Sequence, residues 1–152
     1  MELTFREAVR SDLRELVLML ADDHLGATRE DTSEPLNEAY VQAFEAIEKD
    51  PNNELVVVES SGYLVGMLQL TYIPYVNRTG AWRCIIEGVR IQSAFRGQGL
   101  GHRFFEWAIA KAKERGCKIV QLTSDKQRPD AIRFYEQLGF QASHEGLKLD
   151  ID

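Results

Sequence analysis

The 152-residue sequence lacks the features that would place it in a membrane. No apolar run approaches the roughly 20 residues that an α-helix needs to cross a bilayer. The N-terminus, MELTFREAVRSDLRE, carries charges throughout and has no apolar region of the kind found in signal peptides. We therefore expect a cytoplasmic protein with no membrane partner.

The sequence is also poor in cysteine and histidine. Its two cysteines, Cys84 and Cys117, are too few for a disulfide framework and form no close pair, which favours reduced core residues. The three histidines lie far apart and lack the spacing of metal ligands. We therefore expect no metal site.

The sequence also has no excess of positive charge. Its net charge is −6, which argues against a nucleic-acid partner. The charges are unevenly distributed, however. Ten acidic and two basic residues lie between Asp22 and Glu54, whereas twelve basic and five acidic residues lie between Val76 and Tyr135. Two explanations stay open: chance variation of a solvated surface, or a site with a basic half for a phosphorylated cofactor and an acidic half for a cationic substrate.

No repeat, low-complexity tract or linker interrupts the chain, and its length suits a single domain over residues 1–152. Hydrophobic periodicity and turn signals predict the order β-α-α-β-β-β-α-β-α-β-β. Strands joined by hairpins come first, and strands joined through helices come last. This pattern favours an α/β (α+β) fold with one mixed, twisted sheet of about seven strands and helices on both faces.

Turn and helix signals give provisional bounds to these elements. Pro35 suits the first turn of the second helix, and the Ser60-Ser-Gly62 segment suits a hairpin turn. A long helix is predicted from about Gly99 to Arg115, ended by Gly116 in the C′ position. Strands are predicted over 3–9, 54–59, 63–74, 81–92 and 118–124, with short terminal strands over 140–143 and 147–151. A first helix follows Ser11, and a last helix is predicted over 129–138.

A glycine-rich segment, Arg96-Gly-Gln-Gly-Leu-Gly-His102, joins a predicted strand to the long helix. The first N–H groups of a helix lack internal partners, and the helix dipole adds positive potential there. Glycine lets the backbone approach a phosphate closely, and Arg96 can add a bidentate donor. The spacing fits neither a P-loop nor a Rossmann loop. The segment therefore predicts a phosphate site, with a plain glycine-rich turn as the alternative.

These residues resemble the pyrophosphate loop of the GNAT superfamily, the GCN5-related N-acetyltransferases, whose signature is Gln/Arg-x-x-Gly-x-Gly/Ala. Arg96, Gly99 and Gly101 fill that signature. The downstream run AIRFYEQLGF, residues 131–140, is similar to the family's second signature, a helix carrying Tyr followed by Leu-Gly-Phe. The resemblance covers nearly the whole chain and implies the GNAT-type fold. It also implies transfer of an acetyl group from acetyl-CoA to a primary amine by direct attack in a ternary complex.

The resemblance also implies where the cosubstrate acetyl-CoA lies. Its pantetheine arm would pair with the strand backbone like an added strand. A bulge expected at Gly88 would splay that strand and open a cleft for the thioester. Arg128 stands where many relatives have Asn, so it either contacts the cofactor differently or only flanks the helix start. The implied cofactor residues are Val89, Arg90, Ile91, Arg96, Gly97, Gln98, Gly99, Leu100, Gly101, His102 and Arg128.

Two side chains are the expected catalytic residues. Tyr135 fills the family's general-acid position, with a core tyrosine as the alternative. Glu87 is the candidate general base, because a carboxylate in an apolar strand is costly to bury without a task or a partner, and desolvation makes it a stronger base. The alternative for Glu87 is an ion pair with Arg83 or Arg90. Both explanations require a partly buried Glu87. A backbone N–H near Val89 could stabilise the developing oxyanion.

The acidic segment between Asp22 and Glu54 lies where the first two helices shape the acceptor pocket of this fold. We therefore expect a cationic amine acceptor, either a small molecule or a protein. Two other functions stay open: a non-catalytic acyl-CoA-binding module and a generic nucleotide- or phosphate-binding domain. Members of the family are often dimers, so a homodimer is a further expectation.

Overall fold

The computed structural model describes residues 1–128 and 130–152. The chain divides into two compact units, residues 1–121 and 122–152. Each unit is described by itself. That the two form one catalytic domain stays a prediction.

The first unit contains a five-stranded sheet and the helices that pack on it. A 3₁₀ turn, Arg10–Asp12, precedes the first long helix, and another, Ser93–Phe95, follows the fourth strand. In chain order the helices and strands are β1 (Thr4–Glu7), α1 (Leu13–Ala21), α2 (Gly26–Arg29), α3 (Glu38–Lys49), β2 (Asn53–Ser60), β3 (Tyr63–Pro74), α4 (Asn77–Gly80), β4 (Trp82–Ile91), α5 (Leu100–Glu114) and β5 (Ile119–Gln121).

The strands lie in the order β1-β2-β3-β4-β5. Neighbours pair antiparallel except β4 and β5, which pair parallel, so the sheet is mixed as predicted. Ser61 and Gly62 connect β2 to β3 with φ values of 51° and 81°. Two consecutive left-handed residues match the twist of the flanking strands, which confirms the predicted hairpin. The single turn α4 also has left-handed dihedrals at Arg78 and Thr79.

One face of the sheet is fully buried against α5. Phe104 of α5 lies against Gly66 of β3 so closely that a Cβ atom at Gly66 would clash with its ring. The side chains of this face are less than 4% exposed and comprise Val56, Val58, Leu68, Leu70, Tyr72, Cys84 and Ile86. Burial of each such side chain contributes about 1.5–3 kcal/mol, so this layer is the main core of the unit.

The opposite face carries α1 and α3 over only part of its width. The apolar cluster between them consists of Ala8, Leu13, Leu16, Met19, Val41, Phe44, Val57 and Met67. Val57 belongs to β2 and Met67 to β3. The helices on both faces agree with the predicted architecture, and β4 lies beyond the strands that supply this cluster.

The ends of two helices differ in how well they were predicted. α3 begins at Glu38, because the Asn37 side chain accepts a hydrogen bond from the Ala39 N–H at 2.9 Å. The predicted start at Pro35 is therefore wrong, since the capping residue sets the boundary. α5 ends as predicted: Gly116 has φ +81°, and its N–H and that of Cys117 donate to the carbonyls of Lys113 and Ala112. This is a Schellman arrangement.

Both cysteines are free thiols, as expected from the sequence. Cys84 is completely buried, and burial raises the pKa of its thiol to about 12. Burial also raises the pKa of Cys117. Neither residue therefore forms a reactive thiolate at neutral pH.

The second unit contains one helix, α6 (Ala131–Gln137). Its predicted first residue, Pro129, lies outside the described residues. The strands predicted over 140–143 and 147–151 are absent from the part of this unit that the structure describes, so the sheet has five strands rather than about seven. The alternation of Leu147, Leu149 and Ile151 suggested a strand, but these side chains are 88–94% exposed. Within residues 1–128 and 130–152, no helix is long and apolar enough to cross a bilayer.

Candidate active site

The predicted phosphate loop forms a tight turn into the N-terminus of α5. Gly97 and Gly99 have φ values of +78° and +74°, which disfavour any other residue. A Cβ atom at either position would meet no atom within 4 Å, so backbone conformation and not space requires glycine. α5 then starts at Leu100, whose side chain is buried. Its first N–H groups, on Leu100, Gly101 and His102, lack partners within the helix and can bind an anion.

Two arginines next to this loop are held by the end of α1. The Arg96 Nε donates to the Ile91 carbonyl at 3.1 Å, and its Nη2 donates to the Asp22 carbonyl at 3.1 Å. The Arg90 Nε lies 3.3 Å from Asp23 Oδ2, and its Nη1 donates to the Val89 carbonyl at 2.9 Å. The acidic and basic segments therefore meet at the loop. Of the other predicted loop residues, Gln98 is exposed and His102 Nε2 lies 3.3 Å from Glu106 Oε1.

The acidic segment is compensated over half of its charge. Five of its ten carboxylates have an arginine within 4 Å. The pairs are Asp22–Arg96, Asp23–Arg90, Glu34–Arg14, Glu45–Arg10 and Glu54–Arg115. Much of the charge asymmetry along the sequence is thus cancelled once the chain folds.

A bulge interrupts β4 at the predicted glycine. Glu87 pairs with Gln69, but Arg90 pairs with Met67, so Gly88 and Val89 both lie opposite Leu68. Gly88 has φ +63°, the left-handed conformation that such a bulge requires. The predicted bulge is therefore confirmed.

The edge of β4 that faces β5 is open next to this bulge. β5 pairs only with Arg83–Ile85, through Ile119–Gln121. From Ile86 to Ile91, no other strand pairs with this edge in the part of the chain that the structure describes. The backbone groups of Val89, Arg90 and Ile91 therefore belong to a strand edge that an extended ligand can join.

Glu87 is exposed, so the prediction of partial burial is wrong. Alternation explains the difference: Cys84 and Ile86 point into the core, whereas Arg83 and Glu87 lie on the opposite face of β4. The alternative of an ion pair with Arg83 or Arg90 does not hold either. Arg83 binds the Gln121 side chain at 3.0 Å and Arg90 lies beside Asp23. The Glu87 carboxylate is therefore available to a ligand, and its proposed role as a base no longer rests on burial.

Tyr135, in the second unit, is half-buried on α6. Gly139 has φ +101° and lets the chain turn back, so that the Phe140 N–H donates to the Tyr135 carbonyl at 3.0 Å. The ring centroids of Tyr135 and Phe140 lie 6.1 Å apart in an edge-to-face arrangement. The Leu-Gly-Phe signature thus has a local role, which is to end α6 and support the tyrosine.

Arg128 lies in the turn that precedes α6. Its N–H donates to the Asp125 carbonyl at 2.9 Å, and its own carbonyl accepts from the Ala131 N–H at 3.2 Å. The backbone of Arg128 therefore flanks the helix start, as one of the two expectations had it. A contact with the cofactor stays a prediction.

The sequence alone predicts only one role for Arg83, that of an ion-pair partner of Glu87. In the structure its guanidinium carbon lies 4.3 Å from the centroid of the Tyr75 ring, and Nη1 donates to Gln121 Oε1. The spacing of four residues between Arg83 and Glu87 was the available signal, because such positions share one face of a strand. Among the described residues, no group of three or more His, Cys, Asp or Glu side chains could hold a metal ion.

Comparison with known proteins identifies the family. Residues 19–140 match the model of the acetyltransferase (GNAT) family. The match spans well over half of the chain, so the chain belongs to this family, and the resemblance of the two signatures is confirmed.

Three relatives illustrate the range of similarity. The chain is 29% identical to an aminoalkylphosphonate N-acetyltransferase of Salmonella typhimurium, over 70% of this chain and 69% of that one. It is 32% identical to a glucosamine 6-phosphate N-acetyltransferase of Trypanosoma brucei brucei, over 61% of each chain. A solved structure described as a transcriptional regulator from Bacillus halodurans C-125 is 58% identical, with a TM-score of 0.95 over 99% of this chain and 100% of that one.

These comparisons confirm the predicted class, an acetyl-CoA-dependent N-acetyltransferase. The site has features that fit the cosubstrate. At the left-handed Gly97 and Gly99 no side chain covers the loop backbone. The unpaired edge of β4 precedes this loop in the chain.

Proposed function

We propose that the protein moves an acetyl group from acetyl-CoA to a primary amine by direct attack within a ternary complex. The observation that carries this proposal is that three features of the donor end follow one another along the chain. The open edge of β4, the glycine bulge at Gly88 and the N-terminus of α5 lie within 15 residues, from Ile86 to Leu100.

The donor end would be bound mainly by backbone groups. The N–H groups at the start of α5 would hold the pyrophosphate, together with those of the Gly97–Gly99 turn and the guanidinium of Arg96. The backbone of Val89–Ile91 would hold the pantetheine arm as an added strand. This assignment fits the left-handed glycines, because phosphate binding of this kind needs close approach to bare backbone.

The acceptor end would use Glu87. An alkylamine has a pKa near ~10.4 and is mostly protonated at pH 7, so it must lose a proton before it attacks. The exposed Glu87 carboxylate would accept that proton, directly or through a bound water. The Val89 N–H would donate to the carbonyl oxygen as negative charge develops there. A new C–N bond would form as the C–S bond breaks, and Tyr135 would supply a proton to the departing sulfur.

The acceptor is a primary amine of a small molecule or a protein. The cationic character expected from the acidic segment now depends on Glu87 and on the remaining carboxylates of that segment. The two relatives named for their substrates act on an aminoalkylphosphonate and on glucosamine 6-phosphate, which are small amines with an anionic group. These names favour a small-molecule acceptor.

A thiol-release assay with acetyl-CoA tests the proposal against a panel of amines, with the product identified by mass spectrometry. We expect acetylation of at least one small amine. In Tyr135→Phe, turnover of that amine should fall by about 10- to 100-fold while acetyl-CoA still binds, because only the proton transfer to sulfur is lost. Binding of acetyl-CoA with no acetylated amine would favour the non-catalytic module. Displacement of acetyl-CoA by ATP at equal concentration would favour a generic nucleotide-binding domain.

The description of the relative from Bacillus halodurans raises a second candidate function, control of transcription. The net charge of −6 weighs against direct DNA binding. A gel-shift experiment at low salt should therefore give no specific complex. A cytoplasmic location and a homodimer remain part of the proposal, and size-exclusion chromatography with light scattering tests the dimer.

A further inference from the structure

The face of the sheet opposite α5 carries polar side chains beside isoleucines where it extends from β3 to β5. Residues of this face are half-buried or exposed, whereas those on the other face of the same strands are buried. Gln69 donates to Asn53 Oδ1 at 3.0 Å, and Gln69 lies directly opposite Glu87. The face therefore presents hydrogen-bonding side chains at the place where an acceptor would approach Glu87.

Arg83 is the arginine of this face. Six of the other nine arginines of the first unit are seen with a carboxylate within 4 Å, namely Arg6, Arg10, Arg14, Arg90, Arg96 and Arg115. The partners seen for Arg83 in the described part of the chain are neutral, namely the Gln121 amide and the Tyr75 ring. Its Nε is buried and makes no hydrogen bond to the described residues. The guanidinium is thus held in place with its charge uncompensated.

The distance between Arg83 and Glu87 sets the length of an acceptor that could contact both side chains. The β3–β4 register is unbroken from Arg83 to Glu87, so both side chains lie on the same face. Four residues of strand separate their Cα atoms by about 13 Å. Gln121 pairs with Ile85, which lies between them, and Arg83 Nη1 donates to the Gln121 side chain. This separation suits a small molecule with charged groups at its two ends.

We propose that Arg83, supported by Gln121 and Tyr75, binds an anionic group of the acceptor. The acceptor is then a small primary amine that also carries an oxyanion, with the amine at Glu87 and the oxyanion at Arg83. A guanidinium suits this task because its donors match carboxylate, phosphate and phosphonate oxygens in pairs. This inference rests on the proposed function, since it names the acceptor class for the same reaction.

Matched acceptors test the inference on the full-length protein. Glucosamine 6-phosphate is compared with glucosamine, and 2-aminoethylphosphonate with ethanolamine, by thiol release at saturating acetyl-CoA. We expect the wild type to prefer the anionic member of at least one pair by roughly 10- to 100-fold in kcat/KM, the effect of a charge-assisted hydrogen-bond pair. In Arg83→Gln that preference should disappear through a higher KM for the anionic acceptor, with the neutral acceptor unchanged.

Two further variants complete the design. Arg83→Lys keeps the positive charge but lacks the paired N–H donors of the guanidinium, so it should retain part of the preference for the anionic acceptor. Arg10→Gln removes an exposed arginine that pairs with Glu45, and it should behave as the wild type. A wild type without preference for either anionic acceptor overturns the inference even if Arg83→Gln does not fold. So does a preference that survives in Arg83→Gln. Acetylation of any amine in these experiments keeps the proposed function, whereas its failure with every amine removes both.

Discussion

The proposed donor and acceptor ends of the site differ in the groups that they present to a ligand. At the proposed donor end, the left-handed Gly97 and Gly99 and the first turn of α5 present backbone N–H groups. At the proposed acceptor end, Glu87 and Arg83 present side chains from one face of β4. The backbone end is determined by a few consecutive residues. The side-chain end depends on strand register and on which helices cover the sheet, so it can change while the donor end is kept.

The largest effect should come from removing the carboxylate of the acceptor end. Glu87→Gln should lower kcat by about 10²–10⁴-fold, because it removes the group that takes the amine proton. The dissociation constant of acetyl-CoA, measured by calorimetry, should stay the same. Glu45→Gln removes an exposed carboxylate elsewhere and serves as the matched control. Wild-type turnover in Glu87→Gln would remove this residue from the mechanism.

The donor end can be tested by a substitution that alters no existing side chain. Gly99→Ala and Gly62→Ala both place a Cβ atom on a left-handed residue, with φ values of +74° and +81° and no atom within 4 Å. Each should therefore cost about 1–2 kcal/mol of unfolding free energy. Only Gly99→Ala should also weaken acetyl-CoA binding, by about tenfold, as a side chain enters the phosphate loop. Equal weakening in both variants would mean that global strain, and not the loop, controls binding.

A third region lies away from both ends and should affect stability alone. Asp12 accepts hydrogen bonds from Arg6 Nη1 and Nη2 at 2.8 and 3.0 Å. This pairing lowers the pKa of Asp12. Asp12→Asn should therefore lower the unfolding free energy by about 1–2 kcal/mol at pH 7. Urea denaturation measures the change, and acetyl transfer per folded molecule should not alter.

The pH dependence of that stability difference follows from the direction of the pKa shift. A lowered pKa contributes stability above the ordinary pKa of aspartate, and the contribution is lost as pH falls through the lowered value in the folded state. The difference in stability between the wild type and Asp12→Asn should therefore begin to shrink as pH falls below the ordinary aspartate pKa of about 3.9. A difference that persists unchanged in acid would mean that the Arg6 pair is not its source.

The smallest effect is expected on the buried face of the sheet, opposite the acceptor face. The Tyr72 hydroxyl is buried and makes no hydrogen bond to the residues that the structure describes. Tyr72→Phe removes this hydroxyl and keeps the ring, so the unfolding free energy should change by less than about 0.5 kcal/mol or rise. A loss above about 1 kcal/mol would indicate a hydrogen-bond partner such as a buried water.

Local sequence was sufficient to predict the donor end. Gly88, Gly99 and Gly116 each occupy a left-handed position that glycine alone adopts at low cost, so the bulge, the loop and the end of α5 follow from a few neighbouring residues. The hairpin at Ser61 and Gly62 is predictable for the same reason. The family signatures depend on these same features, and the family assignment was therefore available from the sequence.

The acceptor end was less predictable because it depends on contacts between distant segments. The run from Cys84 to Val89 is apolar on average, but its register exposes Glu87 and directs Arg83 to Gln121, 38 residues away. The charge of the acidic segment was likewise misjudged, since arginines from four other parts of the chain neutralise half of it. Alternation in the last ten residues also suggested a strand for which the described structure supplies no pairing partner.

Initial velocities of the wild type, with acetyl-CoA and its best amine acceptor varied together, test the central claim most directly. The claim is that both ends of the site are occupied at once and that the amine attacks the thioester itself. It predicts double-reciprocal lines that intersect, together with a product acetylated on nitrogen. Parallel lines would show that the acetyl group first passes to the protein, and they would contradict direct transfer.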